Sequence, residues 1–209
     1  MCNKRCLSLI LFILLIGMFF PGCKKTLTVE QEAYIDAIKK DRFEKDSAFR
    51  VLPDSPFIRD SSIKFEPLHY FDINEEFKFS SVLKKYGYQD TVSTRGTKGD
   101  LRKAIRFGFL TFPYKGSTLK VNVYKSWTKS GAEYFAIWFT DKTTGKETYG
   151  VGRYLDFELS PDSLFLYTVD FNRAYNPYCS YSSLYSCSIP TKDDFINIEI
   201  TAGEKKYHH

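Results

Sequence analysis

Two hydrophobic periods divide the chain. Between residues 29 and 50, Ile35, Ile38, Arg42, Lys45 and Phe49 share one face, the spacing of an α-helix with a thin apolar stripe. Thr28-Val-Glu-Gln31 fits a capping box at its start, with the Thr28 hydroxyl on the amide three residues on and Gln31 reaching back. Asp36–Lys40, Asp41–Lys45 and Arg42–Asp46 stand as opposite charges at i, i+4, each contributing roughly 0.2–0.5 kcal/mol. This predicts a solvated helix laid on the domain and ended by Leu52-Pro53 and Ser55-Pro56. Residues 51–209 then form one β-rich domain. Phe77, Phe79, Ser81 and Leu83 alternate with Lys78, Ser80 and Lys84.

Further strands are expected at Ile105–Phe112, Leu119–Tyr124, Tyr134–Thr140, Arg153–Leu159, Leu164–Phe171 and Phe195–Ile200, all rich in β-branched and aromatic residues. Lys115-Gly116-Ser117, Lys142-Thr-Thr-Gly145 and Ser160-Pro-Asp162 supply turns between them, and residues 89–100 have the composition of a loop. Short strands with short connections predict a mainly β fold. The expected form is an antiparallel β-sandwich or barrel-like domain behind one N-terminal amphipathic helix.

The first residues have another character. Lys4 and Arg5 precede an apolar run from Leu7 to Phe20, and Gly22 supplies a small residue before Cys23. These are the three parts of an export signal, so residues 1–22 are expected to be removed. Gly22-Cys23 resembles the lipobox of bacterial lipoproteins, with Phe20-Pro21 in place of the usual Leu-Ala/Ser pair. Cys23 is therefore the expected lipidation site, and residues 23–28 a short tether. Several acyl chains, at about 0.8 kcal/mol per buried CH₂, would hold the protein on a membrane. Net charge falls from +5 to +3 with Lys4 and Arg5 removed, too little and too evenly spread for nucleic acid.

Cys2 and Cys6 leave with the signal and Cys23 takes the lipid, so Cys179 and Cys187 remain of the five. An even remainder in an exported chain predicts a disulfide, stabilising by roughly 2.5 kcal/mol through so short a loop. A zinc site is the alternative, but no His or further Cys lies close in sequence.

Histidine chemistry is nearly excluded. Two of three histidines are the terminal His208 and His209, and His69 lies between Pro67 and an aromatic pair with no supporting pattern. Asp141-Lys-Thr-Thr-Gly145 has the residue types of a phosphorylated aspartyl motif, but the extra Thr breaks the spacing and leaves a hairpin turn. Gly150-Val-Gly152 is a fragment of a glycine-rich loop with no helix after it, better accounted for as a bulge. A calcium site at Asp141 and Glu147 lacks the further oxygens the ion takes. No metal and no cofactor is expected.

The C-terminal half resembles the domain of unknown function 1684 family. The match is carried by Phe139-Thr-Asp141, Thr144-Gly145, Glu147-Thr-Tyr149, Gly152-Arg-Tyr-Leu155, Asp170-Phe-Asn-Arg173, Tyr175-Asn-Pro177, Cys179, Cys187, Ile189-Pro190 and Ala202-Gly-Glu-Lys205. The helix with Arg42 and Asp46, and Ser55-Pro56, look like a short, Bacteroidetes-like lipoprotein branch of that family. Ser188 and Thr191 stand where the family usually has Pro. The resemblance implies no established activity. Through that branch it places the protein, lipid-anchored, in a Gram-negative envelope. Lys24-Lys25 after Cys23, in place of the acidic residues of surface export in some Bacteroidetes, point to the outer membrane facing the periplasm.

The chemistry concentrates in Asp170–Cys179, which packs a carboxylate, a guanidinium, two amides, two phenols and a thiol into one stretch. Strand alternation would put Asp170 and Asn172 on one face, with Phe171 and Arg173 on the other. Asp170 would then pair with Arg153, and Glu204 with Arg173. Such a cluster is either a buried polar lock on the Asn176-Pro177 turn or a binding pocket. In the pocket, Arg153 and Arg173 would hold a small polar or anionic ligand, with Tyr149, Tyr154 and Tyr175 stacking on it. The expected role is binding or scaffolding, with Asp170 and Glu204 as the acid and base of a hydrolase on a glycan or ester as the alternative.

Overall fold

The computed structural model describes residues 27–128 and 130–207. The signal peptide and Cys23 lie outside the described residues. Helix α1 (Val29–Val51) starts with the expected capping box, Thr28 and Gln31 each accepting the other's backbone N–H. Only Ile38 and Phe49 of α1 are buried, as its thin stripe predicts. A short α2 (Pro56–Arg59) follows, capped by Ser55. Among the described residues no helix is long and apolar enough to cross a membrane.

The rest is mainly antiparallel sheet. The strands are β1 (Lys78–Val82), β2 (Lys84–Lys85), β3 (Thr91–Arg95), β4 (Leu101–Tyr114), β5 (Ser117–Trp127), β6 (Glu133–Asp141), β7 (Arg153–Phe157), β8 (Leu166–Asp170) and β9 (Phe195–Ile196). The large sheet runs β2-β4-β5-β6-β7, with β3 also on β4 and β9 parallel to β6. β1 and β8 form a separate two-stranded ribbon. Because β7 does not return to β2, the large sheet is open, and the arrangement is sandwich-like instead of a closed barrel.

Alternation explains what lies between the layers. Leu110, Phe112, Val121, Val123, Ile137, Phe139 and Leu155 project from the large sheet onto Val169 and Phe171 from the ribbon side. Phe79 of β1 stacks on Phe112 with ring centroids 4.2 Å apart, and Phe171 meets Phe139 edge-on at 5.1 Å. Ala104, Tyr124, Ala136 and Trp138 form a smaller cluster on the opposite face. A third cluster joins Phe49 of α1 and Phe57 of α2 to Tyr181 and Tyr207, docking the helix on the domain.

Three local expectations are corrected. Residues 91–95 are a strand, not loop: β3 sits at an edge with only Thr94 buried, so no apolar alternation marks it. Leu164 to Leu166 are exposed, and burial of β8 begins at Tyr167. Past Asp170 the chain leaves the strand for a 3₁₀ turn at Phe171–Arg173. Strand alternation therefore stops at Asp170, and a three-residue turn returns Arg173 to the same side.

A buried ion pair ties the sheet to the C-terminal tail. The side chains of Arg153 (β7) and Asp141 (β6) are 1% and 0% exposed and 2.9 Å apart. The guanidinium also donates to the carbonyl of Ile200 at 2.9 Å and to that of Ala202. Asp141 accepts further bonds from the Thr143 amide and hydroxyl at 2.7 and 2.6 Å. Gly203 then turns the tail at φ 76°, where a Cβ would stand 2.5 Å from the Phe171 carbonyl oxygen. Removing one member of a buried pair leaves an uncompensated charge at a cost of about 3–5 kcal/mol. Asp141→Asn is accordingly expected to lower the urea midpoint by about 1.5 M, taking a slope of about 2 kcal/mol/M. A midpoint unchanged in equilibrium unfolding would show that the pair does not hold the tail.

Candidate functional site

Two cavities open between α1 and the β7–β8 side of the domain. The first, about 620 Å³, has Tyr34, Ile38, Asp41, Arg42 and Lys45 of α1 on one wall. Asp156, Asp170, Asn172, Arg173 and Tyr175 face them, with Tyr70 and Lys78 at the sides. The second, about 600 Å³, is walled by Phe49, Tyr134, Tyr154, Tyr178 and Tyr185, with Cys187 and Arg102. Lys45, Asp156, Arg173 and Tyr175 belong to both.

The polar floor of the first cavity is built by the 3₁₀ turn. Asp170 caps the turn by accepting the Asn172 amide at 3.0 Å. Tyr34 reaches down from α1 to donate to the same carboxylate, 3.0 and 2.9 Å from its two oxygens. The Asn172 amide group donates to Tyr34 and to the Asn74 carbonyl, and its oxygen accepts the Asn74 amide at 2.8 Å. Burial, and then the Asp170 charge, hold the Tyr34 phenol well above its ordinary pKa, so it stays a donor. Arg173 pairs with Asp41 of α1 and lies 3.7 Å from Asp170.

The expected pairings are not formed. Arg153 meets Asp141, not Asp170, and Glu204 meets Lys45 of α1 at 2.6 Å, not Arg173. Of the α1 charges expected to pair along the helix, Asp36 and Lys40 stay exposed and pair there with Lys39 and Glu44. Asp41, Arg42, Lys45 and Asp46 turn inward. Asp41 binds Arg173, Arg42 donates to the Phe71 carbonyl at 3.0 Å, and Asp46 accepts the Leu68 amide at 3.3 Å. The physical reason is that this face lies against the domain, where held, partly desolvated partners displace mobile ones along the helix.

Of the residues singled out from the sequence, Asp170, Asn172, Arg173 and Tyr175 line the first cavity, and Tyr154, Arg173 and Tyr175 the second. Arg153 is not a ligand-holding residue: it is consumed by Asp141 and the tail carbonyls. Asn176 is buried against Glu204 and the Lys205 carbonyl. Glu204 itself is 1% exposed and takes Lys45, Tyr181 and Asn176. Asp170 and Glu204 thus belong to separate networks, and no hydrogen bond joins them among the described residues. Tyr149 lines neither cavity and donates to the Cys179 carbonyl at 3.2 Å. Tyr34, Tyr70, Tyr134, Tyr178 and Tyr185, with Arg42 and Lys45, were missed as site residues. The available signal was a stripe on α1 that carries cations at helical spacing where a core helix carries Leu or Val.

The expected disulfide is not formed: Cys179 and Cys187 are free thiols. They meet as hydrogen-bond partners, the Cys179 amide donating to the Cys187 sulfur at 3.2 Å. Among the described residues no group of three or more His, Cys, Asp or Glu could hold a metal.

Residues 63–205 match the model for the protein of unknown function family DUF1684. The chain belongs to the DUF1684 family. The stretch covered includes the ion-paired tail, the 3₁₀ turn and both cysteines, while α1, one wall of each cavity, lies before it. The chain is also similar to the solution NMR structure of an uncharacterised protein from gene locus rrnAC0354 of Haloarcula marismortui. The two share 26% identity, with a TM-score of 0.62, over 84% of this chain and 96% of that one. Comparison with the curated proteins gives no match.

The thiol pair allows a direct check on local electrostatics in this DUF1684 chain. Its bond with Cys187, then with the Tyr149 and Thr97 hydroxyls, outweighs burial and brings the Cys179 thiol down to about 7. Cys187 is pushed up, first by its bond with Cys179. Peptide-mapped alkylation should therefore give Cys179 a half-maximal rate near pH 7, with Cys187 reacting later. Tyr149→Phe, which removes a donor to the thiolate, should move the Cys179 midpoint upward. Coincident midpoints above pH 8 for both thiols would refute the assignment.

Proposed function

We propose that this protein is a binding module for a small polar anion, presented at the cell envelope by a lipid on Cys23. One observation carries the binding reading. Arg42 and Tyr70 line the first cavity, and Arg42 Nε and Nη2 and the Tyr70 hydroxyl are buried without a hydrogen-bond partner among the described residues. Buried donors left unmade are costly, and a bound carboxylate would satisfy them through the planar fork of the guanidinium. Arg42 stacks on the Tyr70 ring at 4.5 Å, which fixes the plane of that fork. Lys78 adds a cation at the side, 4.2 Å from the centroid of the Tyr34 ring.

The other charges at this cavity compensate one another. Arg173 is held by Asp41 and Asp170, Lys45 by Glu204, and the Tyr175 hydroxyl donates to Asp156 at 2.6 Å. That leaves Arg42 and Lys78 as the cations lining this cavity that are in no ion pair with a described residue, a valence suited to a ligand of low charge and not to a polyanion. Export and lipidation rest on the N-terminal residue pattern read above, and the orientation facing the periplasm on the family resemblance and on Lys24-Lys25 after Cys23.

Two measurements test these parts separately. Glucuronate, titrated calorimetrically against glucose, should bind the wild-type chain while glucose does not. Arg42→Gln should weaken glucuronate at least about tenfold, the loss of one charge-assisted contact, with unfolding shifted by no more than about 1.5 kcal/mol. Equal affinity in the variant would remove Arg42 from the site. Palmitate labelling in cells should disappear in Cys23→Ser, and labelling that persists would rule out the anchor.

A further inference from the structure

We propose that the second cavity holds the flat ring of an arylalkanoic acid whose carboxylate lies in the first cavity. This rests on the anion-binding reading and adds the class of molecule. The two spaces share Lys45, Asp156, Arg173 and Tyr175, so one ligand can occupy both without leaving the groove under α1. At about 600 Å³ the second space lies within the usual range for small-molecule sites.

Its chemistry separates a ring from a sugar. Phe49, Tyr134, Tyr154, Tyr178 and Tyr185 present ring faces and edges. Two of the phenol hydrogens on this wall are committed within the protein. Tyr154 donates to the Ser188 carbonyl, and Tyr175 to Asp156 at 2.6 Å. A flat ring needs only the faces of these five side chains to stack on, whatever their hydroxyls bond. Lys45, Arg102 and Arg173 on this wall are each held by a carboxylate, Glu204, Asp100 and Asp41, so the ligand's own carboxylate is met by Arg42 in the first cavity.

The test uses the full chain carrying Cys179→Ser, which relieves Cys187 of its raising partner, and three probes: 3-phenylpropionate, propionate and glucuronate. Cys187 lies in the aromatic wall, so its peptide-mapped alkylation reports occupancy of that space. The expected result is 3-phenylpropionate binding at least about tenfold tighter than propionate or glucuronate, and alone slowing alkylation of Cys187. Tyr134→Ala and Tyr185→Ala should abolish that advantage while leaving glucuronate affinity unchanged, which also shows that both variants fold. Phenylpropionate binding no tighter than propionate, or binding that leaves Cys187 reactive, would overturn the aromatic assignment. The anion site would then stand if glucuronate still depended on Arg42. Failure of all three acids to bind would overturn both readings.

Discussion

The Arg153–Asp141 pair is the constraint on which the rest of the structure depends. A guanidinium with no solvent exposure to speak of is tolerable only when its charge is met and its donors are used. Asp141 at the end of β6 meets the charge, and carbonyls of residues 200 and 202 take further donors. The tail is thereby drawn across the end of the sheet, and Gly203 turns it so that Glu204 arrives beneath Lys45. Burial lowers the pKa of Arg153 and Asp141 works against that lowering, so the pair is a balance of desolvation and attraction.

From Glu204 outward the polar groups become a site by degrees. Glu204 is saturated by Lys45, Tyr181 and Asn176, which makes it an anchor for α1. Asp170, one layer out, is saturated by Tyr34 and Asn172 but faces the cavity. Arg42 and Tyr70 line the same space with buried polar atoms that meet no partner among the described residues. Lock and pocket, posed as alternatives on sequence grounds, are thus two neighbouring networks under α1, one inner and one outer. The inner part stiffens what the outer part presents.

The DUF1684 match begins after α1, yet that helix supplies a wall of both cavities. The β-domain brings the floor, made of the 3₁₀ turn and the aromatic strand residues. The helix brings Tyr34, Arg42 and Lys45. A chain with this domain but different residues on α1 would keep the fold, which the similarity to the archaeal structure shows to be tolerant of wide sequence change. Its cavity would have different chemistry.

Residue order alone settled what is local. The capping box of α1, most strands, the hairpin at Lys115-Gly116 and the mainly β class follow from period and turn chemistry, because neighbours along the chain decide them. The crowding of polar groups at Asp170–Cys179 was legible too, and five of those polar residues line a cavity or both cavities. Partner choice was not legible. Asp170 with Tyr34, Glu204 with Lys45 and Arg173 with Asp41 each join positions more than 130 residues apart. Which carboxylate meets which cation there depends on how α1 lies across the sheet and on a 3₁₀ turn that ends strand alternation at Asp170. Electrostatics at close range is decided by tenths of an ångström and by burial. Both are properties of the packed molecule and of no single stretch of its chain.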